Sequence, residues 1–98
     1  MYVEQRTYSL VPGGPAQYFK AYNGRPREIQ CAILGKLIGV YQSESGELNQ
    51  VIFLWAFESL DERVRRRREL MADPEFAEFR KATRALLVKQ ESRMLSVA

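Results

Sequence analysis

The sequence contains no histidine, which removes the side chain that most often serves as a general base or a metal ligand near neutral pH. It has a single cysteine, Cys31, so no disulfide can form within the chain. So few cysteines are typical of a reducing compartment, and we expect a cytoplasmic protein. The chain also lacks a glycine-rich phosphate loop, a metal-ligand cluster and a nucleophilic triad, so it predicts no metal and no cofactor.

Long apolar runs are missing as well. The longest, residues 51–57, is far shorter than the ~20 residues that span a bilayer. The N-terminus enters a strand-like pattern without a basic segment and an apolar segment, so we expect no secretory signal. The net charge of +3 is mild. These features favour neither membrane insertion nor nucleic-acid binding.

Four consecutive arginines at 65–68 are the main exception to this balance. A helix turns once in about 3.6 residues, so these side chains point all around it and form no single basic stripe. Glu62 with Arg66, and Arg65 with Glu69, have the spacing of helix-surface ion pairs. The run therefore predicts a solvated, salt-bridged helix.

The chain is 98 residues long and 46% hydrophobic, which is enough for one domain spanning residues 1–98. Strand patterns cover 2–10, 36–43, 49–57 and 88–96, and helical patterns cover 15–34 and about 59–86. Gly24 and Pro26 divide the first helical region, and Asp73-Pro74 divides the second, which begins at a capping box of Ser59 and Glu62. The order βαββαβ predicts an α+β, ferredoxin-like fold: a four-stranded antiparallel sheet of order 4-1-3-2 with the helices on one face.

The third strand is apolar on both sides, unlike a strand with one wet face. One side carries Val51, Phe53, Trp55 and Phe57, and the other carries Ile52, Leu54 and Ala56. The helices can cover one face only, so we expect a homodimer in which two sheets pack face to face as a dimeric α/β barrel. We expect Phe53 and Trp55 to mark the uncovered face, which becomes the lumen. In the second helical region, Leu60, Val64 and Met71 are predicted to share one side of the helix, an apolar face that Phe76 and Phe79 continue.

Two strands carry candidate site residues. Glu4, Arg6 and Tyr8 share one face of the first strand, where Arg6 could receive an anionic or carbonyl group; the alternative is a structural ion pair with a packed tyrosine. Glu91 and Arg93 share one face of the neighbouring last strand. Cross-strand pairing of the two charged sets would either hold the strands in register or line one end of the barrel.

Four stretches carry a resemblance to a known family: residues 4–8 followed by Pro12-Gly13, residues 48–55 followed by Ser59-Leu60, residues 73–76 and residues 90–95. In this order they resemble NIPSNAP-family domains over essentially the whole chain. The resemblance implies a dimeric α/β barrel with no agreed activity, in a superfamily that includes cofactor-independent monooxygenases, haem-degrading enzymes and isomerases. Family members often carry a histidine where this chain has Phe53, so ligation of haem by histidine is excluded here.

We therefore expect a homodimer that binds a small, largely apolar ligand in its barrel, with no assigned catalytic residue. The candidate ligand-binding residues are Glu4, Arg6, Tyr8, Phe53, Trp55, Glu91 and Arg93. One alternative is a cofactor-independent monooxygenase- or isomerase-type enzyme acting on a small aromatic or quinol-like substrate. The other is an interaction module recognised through its helices.

Overall fold

The computed structural model describes all 98 residues. The strands are β1 (Tyr2–Leu10), β2 (Lys36–Gln42), β3 (Gln50–Phe57) and β4 (Leu87–Ser96). The helices are α1 (Gly14–Tyr22), α2 (Arg25–Leu34), α3 (Leu60–Ala72) and α4 (Pro74–Thr83), followed by a 3-10 turn at Arg84–Leu86. The predicted βαββαβ order is confirmed, with each helical region divided in two.

The four strands form one antiparallel sheet of order β2-β3-β1-β4, which confirms the predicted ferredoxin-like arrangement. Strand β1 lies between β3 and β4, with Glu4 opposite Trp55 on one side and Met94 on the other. Arg6 lies opposite Phe53 and Ser92 in the same way. The charged side chains of β1 are therefore flanked on both sides within the sheet.

The helix boundaries follow local chemistry. Pro26 lies in the first turn of α2, and Gly35 ends that helix with a positive φ of 94°, which favours a residue without a side chain. The Ser59 hydroxyl accepts a hydrogen bond from the Glu62 amide at 3.1 Å and caps α3. A carboxylate oxygen of Asp73 accepts one from the Phe76 amide at 2.8 Å and caps α4.

The core lies between the sheet and the helices. Phe53 and Trp55 are 1% and 0% exposed, and the Phe53 ring lies 5.2 Å from Tyr22 of α1 and 5.6 Å from Tyr8. The prediction that Phe53 and Trp55 mark the uncovered face is wrong. Side-chain alternation determines that these two residues share a face, but it does not determine which face the helices cover.

The second face of the sheet carries no helix. Gln5 and Thr7 of β1 share it with Ile52 and Leu54 of β3, both of which stay partly exposed. The molecule measures 35 × 33 × 19 Å, and its short dimension is about the depth of one sheet and one helical layer. The prediction that apolar side chains of β3 lie on a face the helices leave open is confirmed, with Ile52 and Leu54 as those residues.

The apolar side predicted for α3 is largely exposed. Leu60 and Val64 are each 45% exposed and Met71 is 37% exposed, whereas Leu70 is the one residue of this helix that is buried. Two arginines of the run at 65–68, Arg66 and Arg67, are partly buried, so the predicted solvated arginine run is wrong in part. None of the helices in the chain combines the length and the apolar character needed to cross a membrane.

Candidate functional site

A cavity of about 470 Å³ lies between the sheet and the helices. Strand β1 contributes Arg6 and Tyr8 to its wall, and α3 contributes Arg67 and Met71. The remaining wall comes from α1, α2, α4, the 3-10 turn and β4: Tyr18, Gln30, Phe76, Phe79, Arg80, Thr83, Arg84, Leu87 and Gln90. The wall combines an aromatic surface with polar and cationic groups, and it contains no acidic side chain.

Beside this cavity, Glu4 is a fully buried carboxylate held by three donors. Arg63 of α3 donates to both of its oxygens, at 3.2 and 2.8 Å, and Arg6 donates from Nη1 at 2.9 Å. The Ser92 hydroxyl donates from β4 at 2.6 Å. Burial by itself raises the pKa of Glu4, but the hydrogen bonds from Arg63, Ser92 and Arg6 outweigh it and lower the pKa to about 2. Glu4 is therefore ionised at neutral pH.

Glu4 positions Arg6, which in turn positions Tyr8 at the cavity wall. While Nη1 of Arg6 donates to Glu4, its Nε donates to the Tyr8 hydroxyl at 2.9 Å. The Tyr8 hydroxyl therefore acts as an acceptor towards Arg6 and keeps its own proton for a group in the cavity. Glu4, Arg6 and Tyr8 are brought together, as their spacing along one strand face predicts.

Aromatic side chains form the apolar part of the wall. The Tyr18 ring lies 5.5 Å from Phe79, and Phe79 lies 5.3 Å from Phe76. Burial raises the pKa of Tyr18, so its phenol stays protonated at neutral pH. Behind these rings the Tyr22 hydroxyl donates to Gln30. This part of the wall presents ring faces and edges to the cavity.

Arg67 is the least satisfied charge at the site. Burial lowers its pKa, and the nearby positive charge of Arg6 lowers it further. No hydrogen bond or ion pair joins Arg67 to another side chain, although Arg63 and Arg66 on the same helix bind Glu4 and Glu62. Arg80 and Arg84 line the same cavity with exposed side chains.

Four of the candidate ligand-binding residues lie outside the cavity wall. Phe53 packs behind Tyr8, and Trp55 is buried in the sheet beside Glu4. Glu91 and Arg93 lie on the opposite face of β4, since it is Ser92 that is placed opposite Arg6. The predicted pairing of Glu91 or Arg93 with Glu4 or Arg6 is wrong.

The physical reason is the side-chain alternation of β4. Glu91 forms its ion pair with Lys89 at 2.7 Å, on the face away from the helices. A shift of register by one residue would have placed Glu91 and Arg93 on the covered face. The sequence of β4 alone does not set its register.

Sequence reasoning missed the arginines of the helices. Arg63 and Arg67 stand four residues apart on α3, as Arg80 and Arg84 do on the segment that follows Pro74, so each pair lies on one side of its helix. That spacing was a usable signal. It was overlooked because the four consecutive arginines at 65–68 were interpreted as one run and not by their spacing along the helix.

The family relationship of the chain is clear at the level of sequence. The NIPSNAP family model matches residues 3–98. The chain belongs to the NIPSNAP family. The human protein NipSnap homolog 3A is 35% identical over 95 residues, which cover 94% of this chain and 37% of that protein. The chain thus spans well under half the length of that relative.

Solved structures agree with this assignment. A NIPSNAP family protein of unknown function from Agrobacterium tumefaciens is 40% identical, with a TM-score of 0.96, and the match covers 100% of this chain and 88% of that one. An antibiotic biosynthesis monooxygenase is only 9% identical, with a TM-score of 0.65 and coverage of 100% and 99%. The latter similarity concerns the fold alone.

Proposed function

We propose that this NIPSNAP domain binds a small molecule in the cavity between its sheet and helices, and that it acts as a cytoplasmic homodimer. The cavity itself carries the proposal. Its volume of about 470 Å³ falls within the range of ~300–1,000 Å³ typical of small-molecule sites. Six of its thirteen lining residues are hydrophobic, and convergent polar groups supply the rest. This placement revises the expected site, which was the lumen between two sheets.

The dimer is supported by the face of the sheet that the helices leave open. Ile52 and Leu54 of β3 are partly exposed there, and Val3 of β1 and Leu95 of β4 lie on the same face. A second copy packed on this face would bury these apolar groups and leave the cavity, on the other face, accessible. Light scattering should give a mass of about 23 kDa, twice the 11.4 kDa of one chain, and a mass of one chain would contradict the dimer.

A cavity-filling variant tests the binding site. Met71→Trp places a larger side chain in the wall, and Val64→Trp places the same group two turns away on the same helix, at an exposed position that does not line the cavity. In a thermal-shift panel of small acids, alcohols and quinols, compounds that stabilise the protein and Val64→Trp should no longer stabilise Met71→Trp. Equal responses of both variants would place the ligand elsewhere.

A second candidate is a cofactor-independent monooxygenase- or isomerase-type enzyme acting on a small aromatic or quinol-like substrate. The observation that favours it is the Tyr8 hydroxyl, which accepts from Arg6 and can donate its proton into the cavity. Turnover of bound compounds, followed by mass spectrometry, tests this function. Product formation that is lost in Tyr8→Phe would support it, and binding without product would argue for a binding domain.

A further inference from the structure

The cavity has an unbalanced charge. Four arginines line it, and no aspartate or glutamate does. Arg6 is paired from behind with Glu4, with a distance of 2.9 Å between Nη1 and the carboxylate, which also binds Arg63. The other three, Arg67, Arg80 and Arg84, form no ion pair within the chain. The counter-charge for the cavity must therefore come from solvent or from a ligand.

Arg67 is the group best placed to receive that counter-charge. It stands one helical turn after Arg63, whose guanidinium binds Glu4 in a bidentate manner. Arg66, its direct neighbour, is bound to Glu62 and to the carbonyl oxygen of Ile33, each at 2.9 Å. Arg67 alone is partly buried, faces the cavity and has no partner. A desolvated guanidinium is a strong, bidentate receptor for a carboxylate.

The aromatic part of the cavity wall indicates what the uncharged part of a ligand would be. Tyr18, Phe76 and Phe79 form a connected set of rings with centroids 5.3 to 5.5 Å apart. Leu87 and Met71 complete the apolar surface. An apolar body, flat enough to pack on these rings, would be buried here while its charged group reaches Arg67.

The geometry points to an aromatic monocarboxylate as the ligand class of this cavity, with its carboxylate bound by Arg67 and its ring packed on Phe76 and Phe79. A single negative charge matches the single guanidinium that is both partly buried and unpaired, since Arg80 and Arg84 are exposed. The Tyr8 hydroxyl, oriented by Arg6, can donate to the same carboxylate. This inference rests on the proposed small-molecule site and specifies its ligand.

Calorimetric titration with matched probes tests the inference. 2-Naphthoate and 2-naphthalenemethanol share a ring system and differ in charge, and naphthyl phosphate carries a larger charge. We expect 2-naphthoate to bind at least tenfold more tightly than the alcohol. Arg67→Met should weaken 2-naphthoate binding tenfold to a hundredfold and leave the alcohol unchanged, because a hydrogen-bonded charge contributes about that factor. Arg68→Met, which removes the same charge from an exposed neighbour, should bind 2-naphthoate like the unmodified protein.

The other outcomes separate the two proposals. Equal affinity for the acid and the alcohol, with both lost in Met71→Trp, would overturn the carboxylate assignment and leave the small-molecule site intact. Tighter binding of naphthyl phosphate than of 2-naphthoate would also overturn it. Binding of 2-naphthoate that Met71→Trp does not affect would overturn the site itself. A thermal melt of Arg67→Met within a few degrees of the unmodified protein confirms that a loss of binding is not a loss of folding.

Discussion

The two faces of the sheet differ in how their charged groups are exposed. On the helix-covered face, β1 carries Glu4 and Arg6, and Glu4 is completely buried. On the open face, the same strand carries neutral groups such as Gln5 and Thr7, and β3 adds Ile52 and Leu54. A burial pattern of this kind indicates that the covered face contains more than a hydrophobic core. The open face, by contrast, has apolar groups on β3 near its centre and the exposed charged groups Glu91 and Arg93 on β4 at its edge.

The covered face is itself divided. Around Phe53, Trp55 and Phe57 it is closely packed, with exposed fractions of 0–1%. Towards Tyr8 and Leu87 it opens into the cavity, where α3 presents arginines instead of aliphatic groups. Glu4 lies at the border between these two parts and binds an arginine from the sheet and one from α3. One sheet face can therefore combine a closely packed core with a polar site when a buried ion cluster separates them.

The largest effect should follow from a cavity made in the packed part of the covered face. Phe53→Ala removes a ring that contacts Tyr8, Tyr18 and Tyr22, and should lower the free energy of unfolding by about 3–5 kcal/mol. Urea denaturation at fixed protein concentration measures this. Val88→Ala, at a residue 70% exposed, is the control and should change stability by less than about 0.5 kcal/mol. If Phe53→Ala does not fold, Phe53→Leu should show a smaller loss of the same sign.

Glu4→Gln should lower stability by about 3 kcal/mol at neutral pH, since Arg6 and Arg63 lose a buried ionic partner. The pKa of Glu4 is lowered from 4.5 to about 2 in the folded state, so its contribution is complete above pH 4.5 and disappears as the pH falls through 2. Urea titrations from pH 7 to pH 2 should therefore show the difference between protein and variant shrinking with acid. Glu91→Gln, on the other face, should show no such dependence on pH. If the stability of Glu4→Gln relative to the unmodified protein is also independent of pH, the ionised carboxylate of Glu4 does not stabilise the fold.

Leu54→Glu tests the open face without touching the core. A charge at this position would be desolvated in a face-to-face dimer, and we expect dissociation to become at least a hundredfold easier, about 2.7 kcal/mol. Light scattering across a dilution series measures it. Phe53→Leu, one residue away on the covered face, should leave the dimer mass unchanged. If Leu54→Glu stays fully dimeric, the open face is not the interface.

The smallest effect should be a gain. Arg67→Met removes a partly buried charge without a partner, so the ligand-free protein should become more stable by about 1 kcal/mol. Arg63→Met, one turn earlier, should have the opposite sign because it leaves Glu4 with one guanidinium fewer. Thermal unfolding of both variants under one buffer condition compares them. A loss of stability in Arg67→Met would show that Arg67 has a structural role.

Much of the fold could be predicted from local signals. Ser59 and Asp73 cap helices, Gly35 ends one, and Pro26 begins one, as their chemistry requires. Asn49, at the start of β3, adopts a positive φ of 63°, which is the turn conformation its residue type tolerates. The candidate site was predicted in part, because Glu4, Arg6 and Tyr8 alternate along one strand. The role of Arg67 was not predicted, because its spacing of four from Arg63 shows that both share one side of α3 but not which side of the helix faces the cavity.

Local sequence patterns were enough to predict the elements, their order, and which residues share a face when they stand two apart in a strand or four apart in a helix. Those properties depend on backbone geometry and local hydrogen bonds, which neighbouring residues set. The sheet face that the helices cover follows from the packing of the whole chain, and with it the burial of Phe53 and Trp55 and the exposure of Glu91 and Arg93. The choice of face depends on the packing of every helix at once, and no single strand pattern contains that information. The same packing left Arg67 at a cavity with no acidic group, which is the feature from which the proposed ligand class follows.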